Sequence, residues 1–384
     1  MVSRYLLIPF LALSITACSS KSQTIPPTPS YAWDEINMGV DLSYVNQLED
    51  NGAVFRDSGK QMDPFVIFKN HGANMVRVRL WHSPDWYLPV TGGKRYSDLA
   101  DVEKTIRRAK AAGMAVNLDF HYSDDWADPS KQETPKAWAG LSLPLLKDSL
   151  YNYTLSVLQY LASKNLTPEM VQIGNETNPG MCFPNGKVVG GNYSAFGELL
   201  KSGIKAVRDF SAGNAIKPKI VLHVAQLQDA PAWAKGVITQ AGVTDFDYLG
   251  ISHYCKWSTV NTWPAITDTI RKLVTAYQKP VIIVETAYPF TKNNQDSYNN
   301  LFGGNDSVAN YPVNTAGQLN YMKDLTQAIL DGGGKGLQYW EPAWISSPMK
   351  DRWGTGSSWE NNALFDFNAN ALQGMNYMNA TYKK

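Results

Sequence analysis

Cysteine is scarce in this chain, with 3 in 384 residues, so no disulfide framework holds the fold together. An excess of charge of either sign is also missing. Lys and Arg total 35 against 34 Asp and Glu, a net charge of +1, and that leaves no electrostatic footprint for nucleic acid. Apart from the N-terminus there is no long apolar run, and the run there, Leu6 to Leu13, is too short to span a bilayer as a stable helix. No Gly-rich nucleotide turn follows the first apolar segment, which argues against a doubly wound open sheet. After the first thirty or so residues no second low-complexity linker occurs, so a single domain is expected to the C-terminus.

Aromatic side chains are plentiful. They make up 12% of the chain, with 12 Trp and 20 Tyr, and hydrophobic residues reach 44%. Trp and Tyr in surplus pack a core or bind something flat, and the apolar face of a sugar ring qualifies. The N-terminus reads as a secretion signal over 1–18: Arg4, the apolar run, then Ile15-Thr16-Ala17-Cys18. Small residues ending in Cys resemble a bacterial lipobox, which implies cleavage before Cys18 and lipid on its sulfur and amine. Residues 19–32, rich in Ser, Thr and Pro, read as an extended tether ahead of a domain spanning 33–384. The expected location is therefore the bacterial cell envelope, lipid-anchored.

Within the domain, apolar runs alternate with helical patterns. Strands are predicted at Met38–Leu42, Met75–Leu80, Ala115–Phe120, Met170–Gly174, Ile220–Val224, Tyr248–Ser252, Val281–Val284 and Gly336–Trp340. Helices are predicted at Leu99–Ala112, Leu145–Ala162, Phe196–Phe210, Ile266–Tyr277 and Ala316–Leu330, with glycine stops at Gly113 and at Gly332 to Gly334. Eight strands alternating with helices predict an α/β fold, a single (β/α)8 TIM barrel with its active site at the C-terminal strand ends. Cys182 and Cys255 fall just past two of those strands, where they either pair across the rim or stay as thiols.

Polar and aromatic residues mark the strand exits: Asp41, then Arg77 and Arg79 ahead of Trp81, Asp119-Phe120-His121 running to Trp126, His223, Tyr254, and Tyr339 to Trp344. Two exits carry glutamates, Asn175-Glu176 and Glu285. Paired carboxylates are what hydrolysis of a glycosidic bond needs, one to protonate the leaving oxygen and one to attack the sugar or activate water. The Asn-x-Ser/Thr sites at Asn192 and Asn379 read as chance matches.

The run Asp119-Phe120-His121-Tyr122-Ser123-Asp124-Asp125-Trp126-Ala127-Asp128-Pro129, with Gly174-Asn175-Glu176, Glu285-Thr286-Ala287-Tyr288-Pro289 and Tyr339-Trp340-Glu341-Pro342-Ala343-Trp344, resembles the glycoside hydrolase family 53 endo-β-1,4-galactanases from Met38 to Asp366. The resemblance implies retaining cleavage of internal β-1,4 bonds in galactan by a monomer, with Glu176 as acid/base and Glu285 as nucleophile, and with no catalytic cofactor. It further implies that Arg79 holds Glu285 anionic, that Tyr254 hydrogen-bonds Glu285, that Asn175 grips a sugar hydroxyl and that His223 lines the pocket. Trp340 is the expected floor under the reacting sugar, and Trp86, Trp126, Trp257 and Trp344 are candidate walls or platforms. Asp41, Asp119, His121 and Asp125 bind sugar hydroxyls or order the loops. Relatives often bind calcium, which here falls to Asp296, Asn300 and Glu360, hard oxygen donors suited to that ion. Other readings are a barrel endo-glycanase on another β-linked plant polymer and a surface glycan-binding lipoprotein without turnover.

Overall fold

The structure is a computed structural model that describes Met1, 31–303 and 306–383. Eight parallel strands close into one barrel. They are β1 (Asn37–Asp41), β2 (Met75–Leu80), β3 (Ala115–Phe120), β4 (Met170–Ile173), β5 (Lys219–Ala225), β6 (Tyr248–Ser252), β7 (Val281–Thr286) and β8 (Gly336–Tyr339). Each pairs with its neighbours in sequence, and β1 closes the ring on β8 through Asn37 opposite Gly336 and Val40 opposite Tyr339. The strands read as near-continuous apolar runs because both faces of a parallel barrel are covered, one by helices and one by the lumen.

Helices α1 (Val45–Asp50), α2 (Pro64–Asn70), α3 (Leu99–Ala111), α4 (Leu143–Ser163), α5 (Ser194–Ala212), α6 (Ala230–Ala234), α7 (Trp263–Tyr277) and α8 (Thr315–Asp331) lie in the connections. In α4, Leu146, Leu150, Val157, Leu158 and Leu161 are buried, the spacing of one apolar stripe. The Asp98 side chain caps α3 by accepting from the Asp101 amide. The stops also fall where the sequence put them, with Gly113 at φ +75° and Gly333 at φ +84°. Val45–Asp50 and Pro64–Asn70 were not expected as helices; at 6 and 7 residues they are too short to show a helical period.

The signal, Cys18 and nearly all of the tether lie outside the described residues. Tyr31, placed in the tether by its sequence, is part of the domain instead. Its hydroxyl donates to the Ala380 carbonyl at 2.8 Å and its ring meets Tyr382 at 6.2 Å. Cys182 and Cys255 are both buried free thiols, pushed up to about 12 by burial. Among the described residues no helix is long and apolar enough to cross a membrane.

The lumen is polar toward the C-terminal ends. Residues two apart on a strand share a face, so Arg77 with Arg79 and Asn117 with Asp119 point inward together, and all four are buried. At the other end Met75, Met170, Val221, Tyr248, Ile282 and Val284 pack together with Trp33 as an apolar plug.

Candidate active site

Glu285 reaches the lumen through an irregularity in β7. Pairing with β6 runs in register from Leu249 opposite Val281 to Ile251 opposite Ile283, then skips Val284 to set Ser252 opposite Glu285. The extra residue is a bulge, and it turns Glu285 inward although Val284 already faces that way in the apolar plug. Glu176 sits just past β4 in a left-handed conformation, φ +45°, which a residue with a Cβ adopts only under local constraint. The constraint is His223, whose Nδ1 accepts the Glu176 amide hydrogen at 3.1 Å.

A carboxylate oxygen of Glu176 and one of Glu285 lie within 4.8 Å of one another. Glu285 is the better-supported anion: its Oε1 is 2.9 Å from Arg77 Nη1, and its Oε2 accepts from the Tyr254 hydroxyl at 3.0 Å. Burial raises its carboxyl above the usual range, and the Arg77 guanidinium offsets only part of that rise. Glu176 has no ion-pair partner among the described residues. Burial first, and the neighbouring Glu285 charge second, push it up to about 8, while a hydrogen bond with Ser252 opposes them. Glu285 therefore ionises first, and Glu176 keeps its proton near neutrality.

Arg77 is the residue that sequence reasoning missed. Arg79 was expected to hold Glu285, but its Nη1 pairs with Glu341 at 3.0 Å and its guanidinium lies 4.3 Å from both the Tyr44 and Trp126 rings. Arg77, one layer deeper, is within 2.9 Å of Asp41 and 2.8 Å of Asp119 as well as touching Glu285. The i, i+2 spacing put both arginines on one face, and the sequence offered nothing to tell the layers apart.

The other expected contacts sort by burial. Asn175 is 5% exposed; its Oδ1 accepts from Arg77 at 2.8 Å and its Nδ2 donates to the Ala127 carbonyl at 2.8 Å. Asp41 is fully buried under Arg77. The His121 Nε2 meets Asp119 at 3.1 Å while its Nδ1 accepts from the Ala127 amide. His223 is fully buried, with its Nε2 on Ser252 Oγ at 2.9 Å, so it braces the backbone beneath Glu176 rather than facing the cleft. Trp344, expected as a platform, is only 3% exposed: its ring packs on Tyr44 at 4.6 Å and its N–H donates to the Gly356 carbonyl. Trp340 stays half-buried, its amide donating to the Thr286 carbonyl at 2.9 Å and its ring edge-on to Trp359 at 4.8 Å. Trp86 is half-buried on the rim, where Arg352 covers its ring at 4.1 Å and reaches Asp125 at 2.5 Å.

Glu176, His223 and Glu285 are close enough together to hold a cation. The donor set argues against one. Both His223 nitrogens are engaged, and Glu285 is already held by Arg77 and Tyr254, whereas metal ligands must be free. The expected calcium residues lie elsewhere. Asp296 is spent on the Tyr298 and Ser357 amides and the Ser346 hydroxyl. Asn300 Oδ1 and Glu360 Oε2 are buried oxygens without a hydrogen-bond partner, and the Asn300 amide meets the other Glu360 oxygen at 3.2 Å.

With this geometry in hand, the comparisons are specific. The model for "Glycosyl hydrolase family 53" matches residues 37–378. The chain is 44% identical to an arabinogalactan endo-beta-1,4-galactanase of Cellvibrio japonicus, over 90% of this chain and 91% of the relative. It is 32% identical to an endo-beta-1,4-galactanase of Bacillus subtilis, over 87% of this chain and 83% of the relative. The solved GH53 catalytic domain of Ignisphaera aggregans superposes with a TM-score of 0.82 at 37% identity, covering 94% of this chain and 99% of that one. A xylanase from Caldicellulosiruptor owensensis, at 14% identity and a TM-score of 0.54 over 92% of this chain and 100% of that one, shares the fold alone.

The raised Glu176 carboxyl has a cost that stability measurements read. An unfolded glutamate titrates near 4.3, whereas the folded one holds its proton up to about 8. Between those values the folded state binds the extra proton, so stability falls as pH rises through the window and the whole penalty is present above it. Glu176→Gln removes the penalty. The variant should match the parent below pH 4 and exceed it at pH 8 by roughly 1–3 kcal/mol. Denaturant melts at the two pH values check this, and a difference independent of pH would contradict it.

Proposed function

The chain belongs to glycosyl hydrolase family 53, and from that premise we propose that it cuts internal β-1,4 bonds of galactan with retention of configuration. The observation carrying the mechanism is the spacing of the glutamates, oxygen to oxygen within 4.8 Å. A retaining pair stands about 5–5.5 Å apart, whereas an inverting pair leaves about 6.5–9.5 Å for a water.

In the first step Glu176 gives its proton to the glycosidic oxygen, the bond from that oxygen to C1 breaks, and Glu285 closes onto C1. Arg77 and Tyr254 keep Glu285 ionised and aimed. Once Glu285 is esterified its charge is gone, so the repulsion that kept Glu176 protonated is relieved. Glu176 then takes a proton from water, the water oxygen bonds C1, and Glu285 leaves as carboxylate. Trp340 supplies an apolar face beneath the reacting sugar. No step requires a cofactor.

Two further readings concern the edges of the protein. The lipobox-like run ending in Cys18 supports an enzyme tethered by lipid to a bacterial envelope, working on pectic galactan as a monomer. Asn300 and Glu360 fit a calcium ion in part: they offer two unspent hard oxygens, and Asp296 does not join them. An ion there would pin the loop after β7 to the segment that carries Glu360.

Product analysis on linear β-1,4-galactan tests the activity. The parent should release oligosaccharides from within the chain with the β-anomer first, and Glu285→Gln should lose at least about 10³-fold in kcat. Arg77→Lys, which loses the planar fork, should raise the acidic limb of the pH–kcat/KM profile, and Arg79→Lys should leave that limb in place. Millimolar calcium should raise the parent's Tm but not that of Glu360→Gln; equal shifts would remove the metal. A radiolabelled fatty acid should enter the parent and not Cys18→Ala.

A further inference from the structure

The barrel mouth has two ends, and they are built differently. One runs from Trp340 through Trp126, at 6.3 Å between rings, to Trp86 and Arg352, with the fully buried Trp81 packed against both Trp126 and Trp86; Arg352 ties the loop after β8 to Asp125. The other lies past β6, where Trp257 is 44% exposed. Of the large hydrophobic side chains exposed among the described residues, only Trp257 and Trp353 are tryptophans, and Trp353 sits beside Arg352 at the first end.

Trp257 is held firmly for so exposed a side chain. Its edge packs on the Tyr254 ring at 5.2 Å, and Phe302 flanks it at 6.1 Å. Its carbonyl accepts from Gln228 past β5, and its amide donates to Tyr254 at 3.1 Å. The same Gln228 accepts from the Ser258 hydroxyl at 3.0 Å. The Lys256 ammonium stands 5.7 Å from the ring centroid on one face, and an indole fixed this way loses little entropy when a sugar stacks on the other. Trp257 is also one ring away from the catalytic pair, because Tyr254 carries Glu285.

The direction of the polymer follows from the ring order. The sugar that stays rests on Trp340 at the exit of β8, and its neighbours continue toward the half-buried Trp126 past β3 and Trp86 past β2. The proton donor stands on β4, opposite β8 in a ring of eight. The departing sugars therefore leave across the β4 to β6 arc, where Trp257 is the exposed aromatic. We infer that Trp257 is the platform for galactosyl units on the leaving-group side of the cut, a subsite that sets where along the chain the enzyme cleaves. This inference rests on the activity proposed above.

The test is the cleavage register on β-1,4-galactohexaose labelled at its reducing end, where the length of the labelled fragment counts the sugars on the leaving side. In Trp257→Ala, cuts that release two or more labelled sugars should fall about five- to tenfold relative to cuts releasing one. Trp257→Phe should restore most of the parent pattern and keep the parent Tm, whereas Trp257→Ala, which loses the contacts with Tyr254 and Phe302, should melt slightly lower without losing its fold. A slower variant with an unchanged register, or one shifted the other way, overturns the subsite. A parent that leaves the hexaose intact overturns the activity and the subsite with it, and is told apart because no variant is then needed to see it.

Discussion

One guanidinium organises the interior. Arg77 is buried among Asp41, Asp119 and Glu285, with Asn175 and Gln172 filling its remaining donors. Burying a charge is expensive unless it is paired and fully hydrogen-bonded. Here the pairing overshoots: three carboxylates face one cation, so the pocket retains negative charge. Burial and that excess together keep a proton on the one nearby carboxyl that has no cation of its own, Glu176. The two glutamates are thus told apart by who touches Arg77, identical side chains given different proton affinities by their surroundings.

Position is secured by backbone irregularity. A regular β7 would alternate, and with Val284 pointing into the plug Glu285 would point out toward the helices. The skipped residue reverses this. Glu176 holds a left-handed backbone that a glutamate adopts at a cost of order 1 kcal/mol, repaid by the His223 acceptor and by Gln132 donating to the Glu176 carbonyl. His223 does this as a neutral ring, because burial and the nearby Arg77 lower its proton affinity. A cationic ring would have no lone pair to offer the Glu176 amide.

These features explain what was legible in the sequence. The barrel was, because parallel strands buried on both faces are apolar runs that end abruptly in polar residues, and all eight ends were found to within two residues. Both glutamates stood at such ends. The bulge at Val284 was not legible: Val281-Ile282-Ile283-Val284 has no alternation for an extra residue to break. Tyr31 was lost among prolines and serines, because its anchor at Ala380 is 349 positions away. Trp344 was read as a sugar platform because Trp340 and Trp344 share one motif, and only burial separates the half-exposed ring from the packed one.

Arg79 shows how one strand face can hold two separate devices. It lies two residues beyond Arg77 and touches neither glutamate of the pair. Its guanidinium sits between the Tyr44 and Trp126 rings, a geometry in which a cation is attracted to both faces. Its partner Glu341 follows Trp340 directly and has φ +43°, another left-handed residue with a Cβ. The ion pair holds that residue in place, and with it the turn that presents Trp340 to the cleft. Arg77 therefore acts on the charge of Glu285, and Arg79 on the angle at which Trp340 is held. An exchange of lysine for arginine would be felt differently at each. At the first it changes where a proton sits; at the second it loosens a stack of rings and leaves the proton where it was.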